Sequence, residues 1–155
     1  MSQFQTLSKQ ALDFLKELEK ENSAIEFSTL TYADGRILAT TLTENMDKDV
    51  IACSETATFF IGSNLVNHLA RGEIDRVLIS GNNGVILIQG IGRRSVLTTT
   101  VKKGASIKKV MKGVKKHLEK FESIEDSFEA ILAQYYLPQD EIISTPKTEK
   151  TSIPG

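Results

Sequence analysis

The chain has 155 residues and a formal charge of −1, with 40% hydrophobic and 25% charged residues. That composition suits one globular domain with a single core, and the near-neutral charge gives no overall pull toward nucleic acid or acidic membranes. A lone cysteine, Cys53, excludes an internal disulfide framework and a cysteine-rich metal site, and no apolar run could span a bilayer.

The start, "MSQFQTLSKQALDF", lacks the basic opening and continuous apolar core of a signal peptide, so a cytoplasmic location is expected. Phe4, Leu7, Ala11, Phe14, Leu15 and Leu18 recur at three- and four-residue steps, which predicts a first helix with Ser2 available as its cap. "AIEFSTLTYADGRILATTLT" follows as two strands around Asp34-Gly35, a hairpin signal because glycine accepts positive φ. Asp47 or Asp49 can cap a second helix from about Val50 to Arg71, ended by Gly72. "IDRVLIS", "GVILIQGIG" and "SVLTTTV" then read as an antiparallel meander, joined at Asn82-Asn83-Gly84 and at Gly92-Arg93-Arg94. A third helix is predicted from about Ser106 to Glu122, with Ile107, Val110, Met111, Val114, Leu118 and Phe121 inward. The expected organisation is a domain over 1–122, an amphipathic extension over 123–138 ending at Pro138, and a disordered tail over 139–155. The fold class is α+β, a five-stranded antiparallel sheet sandwiched by helices in the order helix-β-β-helix-β-β-β-helix.

"GNNGVILIQGIGRRSVLTTTVKKGAS" holds five glycines and raises the question of a phosphate cradle. Such a loop leads from a strand straight into a helix N-terminus, and the Walker form also needs a lysine followed by Ser or Thr. Gly84 is followed by Val85-Ile86 and Gly92 by "RRSVLTTT", so the chain returns to strand each time. These glycines serve turns, and no nucleotide cofactor is expected.

No catalytic constellation emerges. His68 and His117 have no partner at metal-ligand spacing, and Ser54 with His68 makes no nucleophile motif, so neither metal nor cofactor is expected. Cys53 falls on the expected inward face of the second helix and reads as an inert buried thiol.

The second helix instead argues for a partner. At about 100° per residue, Val50, Cys53, Ala57, Phe60, Ile61 and Leu65 share a face assigned to the sheet. Ala52, Phe59, Val66 and Ala70 form a second apolar stripe on the other side, which either meets a partner or is covered by another segment of the chain. The expected interface set on this helix is Ala52, Thr56, Phe59, Ser63 and Val66. The lysines from Lys102 to Lys120 make the third helix basic. Either its face is simply solvated, or Lys108, Lys112 and Lys116 contact an acidic partner or an anionic membrane; without interleaved aromatics, nucleic acid is not expected. Arg36, Arg93 and Arg94 sit at hairpin turns, where they either aid solubility or reach a partner's phosphoryl-transfer site.

The order of elements, with "IEFSTLTYADGRILATT" and "RVLISGNNGVILIQGIGRRSVLTTTVKKGASIKKVMKGV", resembles the roadblock family of dynein light-chain-related proteins over residues 1–122. The resemblance implies a small cytoplasmic homodimer or heterodimer, joined through its second helices and third strands, which adds Arg76 and Leu78 to the expected interface. It implies a protein that is not itself an enzyme and that binds or regulates a Ras-like GTPase, as scaffold or as stimulator of hydrolysis, with membrane contact only indirect or weak. The alternative reading is a small-ligand sensor, or a GTPase-independent dimeric scaffold, on a profilin-like sheet.

Overall fold

The structure, a computed structural model, describes the backbone of residues 1–151 and the side chains of residues 1–135. Helix α1, Gln3–Glu21, starts at a capping box. The Ser2 hydroxyl accepts from the Gln5 amide, and the Gln5 side chain accepts from the Ser2 amide, so two orphan donors are satisfied. Its stripe of Leu7, Ala11, Leu15 and Leu18 is buried. Strands β1 (Ile25–Tyr32) and β2 (Ile37–Thr40) close at the Asp34-Gly35 turn, where Gly35 takes φ +87° and the Asp34 carboxylate accepts from the Arg36 amide at 2.9 Å.

Helix α2, Lys48–His68, is capped by Asp47, whose carboxylate accepts from the Val50 amide at 3.2 Å. It ends a little earlier than expected, at His68, and Ala70 and Gly72 both turn the chain through positive φ. Strands β3 (Arg76–Gly81), β4 (Gly84–Ile91) and β5 (Ser95–Lys102) form the meander, and all pairings in the sheet are antiparallel. The spatial order is β2-β1-β5-β4-β3, which leaves the two shortest strands at the edges.

The two faces of the sheet differ in chemistry. Alternation puts Leu30, Leu87, Leu97 and Val101 on the side where α1 and the last helix pack, and that side holds the main core. The other face receives α2 through a smaller cluster of Phe59, Ile88 and Val96, with Phe60, Ile74 and Val77 at its margin.

The expected boundary at residue 122 is absent. Helix α3 runs over Ile107–Thr151 without a break. The reason is periodicity: Phe121, Ile124 and Phe128 continue one buried stripe at helical spacing, and Phe128 packs against Phe4 and Tyr32. The stretch expected as a separate extension is therefore the same helix. Its bounds pass Pro138 into the range expected as a tail, and residues 152–155 lie outside the described residues. Among the described residues, no helix is long and apolar enough to cross a membrane.

Candidate interaction surface

The seating of α2 is the reverse of the expected one. Ala52, Thr56 and Phe59 are 0%, 5% and 6% exposed and lie against the sheet. Val50, Ile61 and Leu65, assigned inward from the sequence, are 59%, 68% and 59% exposed. Cys53, expected as a buried thiol, is exposed as well. Both faces of this helix carry apolar residues, so periodicity could not choose between them, and a hollow in the sheet decides. A Cβ on Gly90 would lie 2.8 Å from Phe59 Cζ, so the glycine leaves the space that the Phe59 ring fills. Gly62 does the same at the other wall, where Ile74 and Val77 approach to 3.1 and 3.3 Å of a built Cβ. The one available signal was a glycine placed inside a strand pattern, which often marks close approach of another element.

Of the expected interface set, then, Ala52, Thr56 and Phe59 belong to the core. Ser63 and Val66 are half-buried, and Arg76 and Leu78 are exposed on β3. The exposed apolar side chains on this side are instead Val50, Ile61 and Leu65 of α2 and Leu69 just past its end, together with Ile79 of β3 and Ile86 of β4. Ile79 and Ile86 are register partners two residues beyond the Val77–Ile88 pair that touches α2, so they share its face of the sheet. Strand β3 pairs only with β4, leaving its other edge without strand partners among the described residues.

Beneath α2 sits a polar layer that sequence reading missed. Register places Thr29 and Thr31 of β1 beside Thr98 and Val96 of β5 on this face. Thr29 and Thr40 hydroxyls bond at 2.8 Å, whereas Thr31 Oγ1 and Thr98 Oγ1 have no partner. Glu55 of α2 projects into this layer, and its Oε1 is buried without a hydrogen-bond partner. Burial pushes the Glu55 carboxyl up to about 7, opposed by the nearby Thr98 hydroxyl.

A cleft of about 610 Å³ opens between the C-terminal half of α2 and the neighbouring end of the sheet. Phe59, Phe60, Asn67, Gln89, Arg93 and Ser95 contribute to its lining, and the Ser95 hydroxyl is buried without a partner.

On the opposite face, the β4–β5 turn is fixed from α3. The Glu125 carboxylate, 1% exposed, accepts from the Arg93 and Arg94 amides at 2.6 and 2.9 Å. Gly92 is required there, since a Cβ would lie 2.0 Å from Glu125 Oε1 and the residue holds φ +58°. Arg94 pairs with Glu129 at 3.2 Å, which also accepts from Tyr32, and Arg36 stacks 5.4 Å from the Phe128 ring centre. Two of the three turn arginines are thus anchored, while Arg93 lines the cleft.

Two groups of side chains have metal-ligating composition among the described residues: Glu17, Glu21 and His117, and Glu125, Asp126 and Glu129. Each already serves packing. His117, 3% exposed, meets Glu21 at 3.0 Å across the α1–α3 contact, and Glu17 is paired with Lys120, which holds its carboxyl below the usual value. Lys108, Lys112 and Lys116 are all exposed on α3, on the side of the sheet away from α2, and Lys108 and Lys112 share a groove with Arg76.

Sheet order, antiparallel register and the placing of one helix against two define a roadblock-type α+β fold. The chain is similar to Myxococcus xanthus MglB at TM-score 0.70 and 17% identity, covering 77% of this chain and 90% of that one. It is similar to the gliding protein mglB of Thermus thermophilus at TM-score 0.67 and 17% identity, covering 76% and 90%. A roadblock/LC7 domain from Streptomyces avermitilis superposes at TM-score 0.63 and 11% identity, covering 78% and 97%. No family model and no curated protein matches at the level of sequence.

Proposed function

We propose that this chain is a non-catalytic, dimeric regulator or scaffold that binds a Ras-like small GTPase in the cytoplasm and modulates its nucleotide cycle or location. The observation that carries the reading is the outward apolar stripe of α2 beside the open edge of β3, on a roadblock-type fold. An open strand edge is a template for pairing with another chain, and burying a Leu or Ile side chain is worth about 1.5–3 kcal/mol. Pairing β3 with β3 and α2 with α2 in a second copy, or in a paralogue, would cover both features at once. The absence of a Walker loop from the sequence supports a partner as the site of any GTP chemistry.

Light scattering at micromolar concentration should report about twice 17.1 kDa. Leu65→Glu places a charge in the proposed contact and should give a monomer with an unchanged circular-dichroism spectrum. The same variant should no longer retain a GTPase from native lysate charged with GTP analogues. Val50→Glu, at the other end of α2, separates loss of the dimer from loss of the GTPase. A wild-type monomer across that range, turnover of GTP by the purified chain, or a GTPase bound equally by both variants and wild type would overturn the reading.

The cleft beside Phe60 and Ser95 favours a second reading, a small-ligand sensor, since it offers the polar-lined pocket between helix and sheet that such a protein requires. A thermal-shift screen of polar metabolites, with any positive shift lost in Asn67→Ala, would support it. No shift with any compound would remove it.

A further inference from the structure

Between Val101 and Leu118 the chain carries seven lysines and no carboxylate, although the whole chain is net acidic by one charge. Lys108, Lys112 and Lys115 stand four and three residues apart on α3 and form one wall of a groove of about 290 Å³. Arg76 of β3 stands across it, with its Nη1 3.5 Å from Met111 Sδ, and Met111 and Leu118 supply an apolar floor. Among the described residues, none of these three lysines lies within ion-pair distance of a carboxylate. The one acidic group at the groove, Asp75, already pairs with Arg76 and accepts from Gln89 at 3.1 Å.

This arrangement works against the helix that carries it. Lys108 and Lys109 lie in the first turn, where the helix macrodipole favours anions and no acidic residue stands. Lys108–Lys112 and Lys112–Lys116 are like-charge pairs at i,i+4, which destabilise a helix. A face selected only for solvation mixes the two signs, as α1 does with Lys9, Asp13, Lys16, Glu17 and Lys20.

We propose that this groove is a second docking surface, for an acidic polypeptide segment that sets an aliphatic side chain between Met111 and Leu118 and its carboxylates on Lys108, Lys112, Lys115 and Arg76. It lies on the face of the sheet opposite α2, away from the outward stripe that carries the GTPase reading, and shares with the proposed dimer seam only strand β3, through Arg76. The shape favours a polypeptide over a membrane. The lysines rim a concave site with an apolar floor, and no large apolar side chain is exposed on α3 between Ile107 and Phe121 to enter a bilayer. Sequence alone selected Lys116 as the third contact. The burial of Val110, Val114 and Phe121 against the core fixes the rotation of α3, which turns Lys115 into the groove and leaves Lys116 outside it.

The test is selection of a random 12-residue peptide library on the full chain, followed by anisotropy with the labelled winners. Enrichment of Asp and Glu with one or two Leu, Ile or Met is expected, with affinity falling as salt rises from 50 to 300 mM. The Lys108→Glu, Lys112→Glu, Lys115→Glu triple variant should bind at least about tenfold more weakly, as three rim pairs of under 1 kcal/mol each would give. Lys109→Glu with Lys116→Glu changes charge outside the groove and should bind within about twofold of wild type, as should Leu65→Glu. Circular dichroism confirms the fold of each variant. The proposal is overturned if no acidic peptides are enriched, or if the triple variant and the Lys109/Lys116 variant weaken binding equally. It is also overturned if phosphatidylserine vesicles bind and the selected peptides do not.

Discussion

Glu55 is a carboxyl group placed where its proton matters to folding. Burial beneath α2 raises its pKa from an ordinary 4.5 to about 7, so the folded chain binds this proton more tightly than the unfolded chain. The protonated group's contribution is full below about pH 4.5 and is lost as pH rises through about 7. Glu55→Gln keeps the shape and never ionises. In urea titrations from pH 5 to 8, wild type should lose stability relative to Glu55→Gln, by about 2 kcal/mol at pH 8, allowing for the group's partial exposure. Parallel pH profiles for the two proteins would show that the carboxylate reaches water.

At the scale of elements, α2 rests on the sheet through few contacts, and Phe59 against Gly90 is the central one. Gly90→Ala puts a methyl group 2.8 Å from the Phe59 ring, which packs on Ile88 and Val96 and borders the cleft. Overpacking of this kind costs about 1–3 kcal/mol. Phe59→Leu should relieve the clash, so the double variant should be less destabilised than the sum of the singles when midpoints of chemical unfolding are compared. Additive costs would place the Phe59 ring elsewhere. Helix α3 is held differently, by its long apolar stripe and by Glu125, which ties it to the β4–β5 turn through two backbone amides. The element that carries the outward stripe is thus the one attached most lightly.

For the whole molecule, the proposed dimer makes stability depend on concentration. A ligand or second copy that binds only the folded state raises the melting temperature by mass action. Wild type should melt at higher temperature as protein concentration rises from 1 to 100 µM, whereas Leu65→Glu should melt at one temperature throughout. A wild-type melting temperature independent of concentration would count against the pairing of α2 and β3. The outward apolar stripe of α2 and the lysine-lined groove lie on opposite faces of the sheet, so the two proposed contacts would use different surfaces.

Local order was legible in the sequence. Ser2 and Asp47 as caps, Asp34-Gly35 as a hairpin and the three glycine-bounded strands all depend on residues near one another in the chain, and their chemistry acts at that range. The order of those elements was enough to indicate the roadblock-type fold. Three features were settled only by packing. A helix with two apolar faces can seat either way, and the hollow at Gly90 turned Phe59 inward and Leu65 outward. Glu122-Ser123 carries no breaker, and the stripe from Phe121 to Phe128 joined two expected segments into one helix because Phe4 and Tyr32 stand ready to receive Phe128. Lys115 rather than Lys116 lines the groove with Arg76 because the buried stripe of Val110, Val114 and Phe121 sets the rotation of the helix. Periodicity records which residues share a face, but only the shape of the neighbouring surface decides which way that face points.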